Sequence, residues 1–230
     1  MPMKIIDYII DAIYPPTCPC CNKLITPEEY FCPKCKLKIA YPSKNVCKLC
    51  GYEEKRCVCK RYIFHFDGIC GAFKNEGVAK DAFYAFKFKK DSRVLGFFVK
   101  NISAVVRRQF SDVKFDFITS VPPTNPNTEY DHAKMIATAL GKSLNLKFVK
   151  CLKAASKPRQ TQHFLTYEER FSNVRDAYEA TTSVKGKTVL LVDDIKTTGA
   201  TIDECARELK FAGAKSVYCA VALIGYKNQS

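Results

Sequence analysis

The sequence has no apolar run long enough to cross a bilayer, which takes about 20 residues, and its opening stretch lacks the marks of an export leader. MPMKIIDYIIDAIYPP carries Asp7 and Asp11 and offers no small-residue cleavage site, so neither secretion nor a membrane span is expected. Ile5, Ile6, Ile9, Ile10 and Ile13 instead share one face of a short amphipathic helix over residues 1–13, read as docked on the domain that follows. Acids are scarce too. Against 37 Lys and Arg stand 23 Asp and Glu, for a formal net charge of +14, which disfavours basic partners and points to a polyanion or an anionic lipid surface. Histidine is limited to three residues, and the two that flank candidate ligand loops, His132 and His163, are read as hydrogen-bonding groups.

What the chain has in abundance is cysteine, thirteen in 230 residues. Without signs of secretion the expected compartment is the cytoplasm, where clustered thiols hold metal more often than they form disulfides. Eight of them are paired at short spacing: Cys18 with Cys21, Cys32 with Cys35, Cys47 with Cys50, and Cys57 with Cys59. Two-residue spacers beside Pro19, Asn22, Pro33 and Gly51 let two thiolates reach one tetrahedral Zn²⁺ at about 2.3 Å. The simplest assignment joins neighbouring pairs, Cys18, Cys21, Cys32 and Cys35 on one ion and Cys47, Cys50, Cys57 and Cys59 on another. An interleaved arrangement is the alternative, and Cys20 could replace Cys21. Coordination by thiolates alone leaves no open position for water, so the role is structural, and so short a segment depends on its metal to fold. Two such sites would bring the net charge down to about +10, since each carries about −2. The expected organisation is a helix over 1–13, a cysteine-rich zinc-binding domain over 14–62 and an α/β domain over 63–230.

The stretch that gives the second domain its chemistry is VLLVDDIKTTGAT, residues 189–201. Four apolar residues, Val189 to Val192, suit a parallel strand covered on both faces, and Ile202, Ala206, Leu209 and Ala212 follow at helical spacing. The loop between them, Lys196, Thr197, Thr198, Gly199, Ala200 and Thr201, therefore lies at a helix N-terminus, where free amides and hydroxyls cradle a phosphate. Asp193 and Asp194 precede it, placed to accept hydrogen bonds from sugar hydroxyls or to hold hydrated Mg²⁺. This stretch resembles the phosphoribosyl pyrophosphate (PRPP) signature of type I phosphoribosyltransferases. That resemblance implies a parallel α/β sheet flanked by helices, with Asp193 and Asp194 on the ribose 2- and 3-hydroxyls and Thr197 to Thr201 on the 5-phosphate.

Between the two regions, DGICGAFK reads as a strand and Gly77 opens a long amphipathic stretch through Phe110. In it Phe83, Phe86, Phe97 and Phe98 alternate with Lys87, Lys89, Lys90, Arg93 and Lys100. Aromatic and basic residues interleaved in this way suit single-stranded nucleic acid, with Lys87, Lys89 and Lys90 as its contacts, although phenylalanines at helical spacing also suit a core. DFITSVPPTNPN gives a second strand and a proline-stiffened loop. By the same resemblance that loop, Val121, Pro122 and Pro123, receives pyrophosphate. Tyr130 to Leu144 reads as a helix closed by Gly141, and NLKFVKCL as a further strand.

The order of these parts, with the segment KPRQTQHFLTYEERFSNVRDAY, is similar to the ComF proteins of bacterial natural competence over nearly the whole chain. Gln162, Leu165, Arg170 and Asn173 fall where that family usually shows the same residue types. At residues 128–133, TEYDHA stands where many relatives carry R-G-F-N-Q, so a basic contact near the pyrophosphate would fall to Lys134 or Lys157. The resemblance implies a cytoplasmic factor for DNA uptake, at the inner face of the membrane beside the DNA-uptake machinery, that handles incoming single-stranded DNA and keeps a PRPP pocket. The alternatives are an active phosphoribosyltransferase using Mg²⁺ and PRPP with an unknown acceptor, and a domain that only binds. Glu168 and Glu169 lie near enough to be considered as a base, but on a helix they read as a solvated face.

Overall fold

The computed structural model describes residues 15–89, 92–125, 128, 130–155 and 167–225. The helix expected over 1–13, and Lys90, Lys157, Gln162, His163 and Leu165, lie outside the described residues, as do the side chains of Lys89, Glu168 and Arg170. Four parallel strands form the central sheet: β1 (Gly68–Lys74), β2 (Phe117–Ser120), β5 (Thr188–Lys196) and β6 (Ser216–Ile224), in the order β1-β6-β5-β2. After the one-turn helix α1 (Pro33–Lys36), helices α2 (Gly77–Lys89), α3 (Ser92–Gln109), α4 (His132–Leu144) and α6 (Ala200–Phe211) connect and cover the strands. A separate antiparallel pair, β3 (Leu152–Ala154) and β4 (Tyr178–Ala180), brackets α5 (Tyr167–Val174).

Strand β5 is central because its apolar run is buried on both sides. Leu190 and Val192 join the core under α3 and α4, while Val189 and Leu191 join the core under α6. The phenylalanines of the amphipathic stretch are core: Phe83, Phe86, Phe97 and Phe98 are all buried. The stretch is two helices rather than one. Gly141 does not close its helix but sits inside α4, where an added Cβ would come within 2.7 Å of the Leu146 carbonyl oxygen and 3.0 Å of Ile118. The helix ends instead at Asn145, whose φ of 57° supplies the left-handed cap. The strand expected from NLKFVKCL is only a single bridge from Phe148 to Ile118, with Leu152 beginning β3.

The cysteine-rich region is fused to the sheet and is not a detached appendage. Cys18, Phe31, Cys32, Cys35 and Ile39 belong to the same buried cluster as Phe73 and Phe97, with Phe31 edge-on to Phe97 at 4.8 Å. Its second half packs on the other face, where Cys50, Tyr52 and Val58 join Ile69, Val189 and Cys219. The Ile69 amide donates to the Lys48 carbonyl at 3.0 Å, and Glu53 pairs with Lys74 at 3.0 Å. Among the described residues, no helix is long and apolar enough to cross a membrane.

Candidate functional site

The eight paired cysteines come together as two sets, Cys18, Cys21, Cys32, Cys35 and Cys47, Cys50, Cys57, Cys59, with all donor atoms of a set within 4.8 Å of one another. This is the neighbouring-pair arrangement, including the Cys57–Cys59 pair. Sulfur separations of 3.5 Å for Cys21 and Cys32, 3.7 Å for Cys47 and Cys59 and 3.8 Å for Cys50 and Cys57 match the tetrahedral edge of about 3.8 Å set by a Zn–S bond of about 2.3 Å. Both sets fit a structural zinc ion. Cys20 is outside the set, its thiol on the Val78 carbonyl at 3.4 Å and pushed up to about 12 by burial. Cys18 shows the opposite: against the upward push of burial, the backbone amides of Cys32, Cys20 and Cys21 bring it down to about 6, which suits a thiolate donor.

The carboxyl end of β5 opens into a small cavity lined by Asp193 and by the run from Ile195 to Ile202. Gly199, with φ 92°, turns the chain into α6, a conformation for which glycine carries no side-chain penalty. The helix has no side-chain cap hydrogen bond at Gly199, and the Thr198 hydroxyl accepts from the Ala200 amide at 3.3 Å. The start of a 12-residue helix, lining the cavity and bordered by hydroxyls, suits an anion. Asp193 lines the cavity and Asp194 follows it, each accepting from the next backbone amide, at 2.8 and 2.6 Å. Burial, and behind it the charge of Asp194, push the Asp193 carboxyl well above the usual carboxylate range.

Lys87 reaches Asp194 with its ammonium 2.5 Å from the carboxylate. Expected on a nucleic-acid surface, it is held by this ion pair and lies 5.3 Å from the Phe83 ring. His132, first in α4, packs edge-on to Phe86 at 5.4 Å, and burial followed by the Lys87 charge lowers its pKa. Residues Val121, Pro122 and Pro123 follow β2 directly beside β5, with the Val121 amide donating to the Val192 carbonyl at 2.9 Å, so that loop and the Asp193 pair share one edge of the sheet. Within the divergent segment Asp131 caps α4, accepting from the Lys134 amide at 2.9 Å. Glu169, considered as a base, is exposed on α5.

Sequence reasoning missed Tyr52. From the second cysteine set its hydroxyl donates to the Thr197 carbonyl at 2.5 Å, and its ring lies 3.5 Å from the Lys196 ammonium. It also missed the link from His65, whose amide and ring bind Asp203 in the first turn of α6 at 2.6 and 2.9 Å. Neither contact has a local signature, because each joins residues far apart in the chain. Lys196 itself is 1% exposed, and among the described residues its ammonium makes no hydrogen bond. Burial lowers it to about 7, partly offset by the neighbouring thiols of Cys50 and Cys59.

The double zinc ribbon domain matches residues 9–73, and the phosphoribosyl transferase domain matches residues 101–230. Competence protein ComFC of Bacillus subtilis is 23% identical over 87% of this chain and 86% of its own length. DNA utilization protein YhgH of Escherichia coli K12 is 40% identical over 57 residues, 25% of each chain. Among solved structures, adenine phosphoribosyltransferase from Saccharomyces cerevisiae aligns with a TM-score of 0.42 at 16% identity, covering 61% of this chain and 73% of that one. With its parallel sheet and its two thiol sets, the chain belongs to the phosphoribosyl transferase domain family and carries a ComFC-like double zinc ribbon at its N-terminal side.

Proposed function

We propose that this protein serves DNA uptake from the cytoplasmic side, handling incoming single-stranded DNA, and that its pocket binds PRPP with Mg²⁺. The observation that carries the pocket reading is the placement of Asp193 on the cavity at the start of α6, with Asp194 beside it paired to Lys87. Two acids suit ribose hydroxyls and a hydrated cation, and the cradle suits a phosphate. The resemblance to ComFC over most of both chains supports the DNA role. So does the outer face of α2, where Tyr84 and Phe88 are exposed and stack at 6.1 Å with 17° between ring planes, and Lys80 lies over the Tyr84 ring at 5.9 Å. Rings and a cation arranged in this way can stack bases and neutralise phosphates. Contact with the uptake machinery at the inner face of the membrane belongs to the same proposal.

Tyr84→Ala with Phe88→Ala should weaken single-stranded DNA binding roughly tenfold or more, given about 1–3 kcal/mol for each stacked base. Binding of the wild type should also fall steeply with salt. Salt-independent or absent binding, measured by fluorescence anisotropy with a labelled oligonucleotide, would remove the DNA role. Because Lys87 is paired with Asp194, Lys87→Ala should weaken PRPP and leave DNA binding within about twofold, as expected for a site away from a single-strand platform.

The second reading is an active phosphoribosyltransferase, favoured by the family match over residues 101–230. In it an acceptor nucleophile displaces pyrophosphate from C1 of PRPP through an oxocarbenium-like state. Release of pyrophosphate dependent on an added acceptor would establish it, and its absence across nucleobase and amine acceptors would leave the binding role.

A further inference from the structure

Lys196 is a structural anomaly. It ends the central strand with its side chain almost wholly buried, among the described residues its ammonium makes no hydrogen bond, and it lies against the face of Tyr52. Burying an ammonium without hydrogen bonds is costly, and the cation–π contact offsets only part of that cost. The side chain lies directly beneath the phosphate loop. A Cβ added at Gly199 would stand 3.0 Å from Lys196 Cε and 3.6 Å from its ammonium nitrogen. The absent side chain of Gly199 is therefore what lets the loop settle onto the lysine, and Lys196 lines the same cavity as Thr197 to Thr201.

We infer that Lys196 is a positioning charge for the phosphate site: held from below by Tyr52, its ammonium adds a positive field to the amide cradle, favouring a doubly charged phosphate monoester. A phosphate in the cradle offsets the cost of burying the ammonium, so the lysine is charged when the anion is bound, and its field in this low-dielectric interior is larger than that of a surface lysine. The inference rests on the pocket reading above and extends it to the charge state of the ligand. The thiols of Cys50 and Cys59 are also within electrostatic reach of Lys196. The competing role is a counter-ion for that metal set alone, which would affect zinc retention and not ligand selection.

The test compares wild type with Lys196→Met and Lys196→Leu in the full, zinc-replete chain, titrated with ribose 5-phosphate and with its methyl phosphate ester, which carries one charge fewer. Both variants should bind ribose 5-phosphate at least tenfold more weakly and should lose most of the preference for the dianion, with zinc content unchanged and the melting temperature equal or higher. Unchanged affinity and preference overturn the inference. So does loss of affinity that only follows loss of zinc or of folding, since that is the counter-ion role. Failure of both variants to fold also overturns it, because the ammonium would then be a structural requirement. If the wild type binds neither sugar phosphate, the pocket reading fails first and takes this inference with it. If the wild type binds and the variants match it, only the inference fails.

Discussion

The double substitution Asp193→Asn, Asp194→Asn should reduce PRPP affinity by roughly 100-fold or more, on the basis of about 1.5–3 kcal/mol for each charged hydrogen bond removed, while leaving the sheet intact. The fold should tolerate it because both carboxylates are used locally as acceptors, from the Asp194 and Ile195 amides, and an asparagine oxygen accepts equally well. What is lost is the charge that would hold a sugar hydroxyl or a hydrated cation. Lys87 would lose its ion pair with Asp194. Titration calorimetry reads the affinity and circular dichroism reads the fold. Retained PRPP binding would remove the acids from the site.

Asp193 adds a pH dependence whose sign can be fixed. Its carboxyl is raised in the folded protein by burial and by Asp194, so the folded state holds a proton that the unfolded state releases at lower pH. Stability therefore falls as pH rises from the ordinary carboxylate range toward the folded pKa, and stays reduced above it. Asp193→Asn removes this cost. In denaturant melts its stability relative to wild type should improve as pH rises through that window, and a constant difference from acid to neutral pH would contradict the burial argument.

Stripping zinc from the second cysteine set should cost the phosphate site at least tenfold in affinity, even though no cysteine lines the cavity. The segment carrying Cys47, Cys50, Cys57 and Cys59 is short and depends on its ion to keep its shape. Tyr52 lies just after Cys50 and is joined to the loop at two points, the Thr197 carbonyl and the Lys196 ammonium. His65 adds a third tie, to the first turn of α6 through Asp203. When the ribbon loosens, the loop loses a hydrogen bond and Lys196 loses the ring that holds it. Coupling of this kind is reciprocal in binding free energy, so bound PRPP should in turn raise zinc affinity, seen as a higher chelator concentration needed to strip the ion at equilibrium. Tyr52→Ala at full zinc occupancy should reproduce most of the affinity loss, and Tyr52→Phe, which keeps the ring, less of it. Unchanged PRPP affinity after complete chelation would break the proposed link.

The parts of this molecule that were legible in the sequence are those whose chemistry is local. An apolar run, two acids and a TTGAT turn can be read within 13 residues because a buried parallel strand and a helix N-terminus each have a short-range pattern. The cysteine pairs are equally local, and the neighbouring-pair grouping is the one the sulfur positions form. Lys87 was not placed so readily, since its spacing among phenylalanines and lysines is compatible with several faces of a helix and its partner Asp194 lies on another strand. The aromatic residues divided by burial, Phe83 and Phe86 into the core and Tyr84 and Phe88 to the surface, which follows helical phase but could not be assigned without knowing where the sheet lies. Tyr52 gave no signal at all. An ordinary tyrosine after a zinc knuckle acquires its role only because the second ribbon half packs beside β5 and β6.

The central claim is that one pocket, built by the carboxyl end of β5 and supported by the zinc ribbon, holds a phosphorylated ribose. Calorimetric titration of the zinc-replete full chain with PRPP in the presence of Mg²⁺ tests it most directly. Saturable binding that is lost in the double-asparagine protein is the predicted result. Absence of saturable binding in the wild type, or equal binding by the double-asparagine protein, would contradict it.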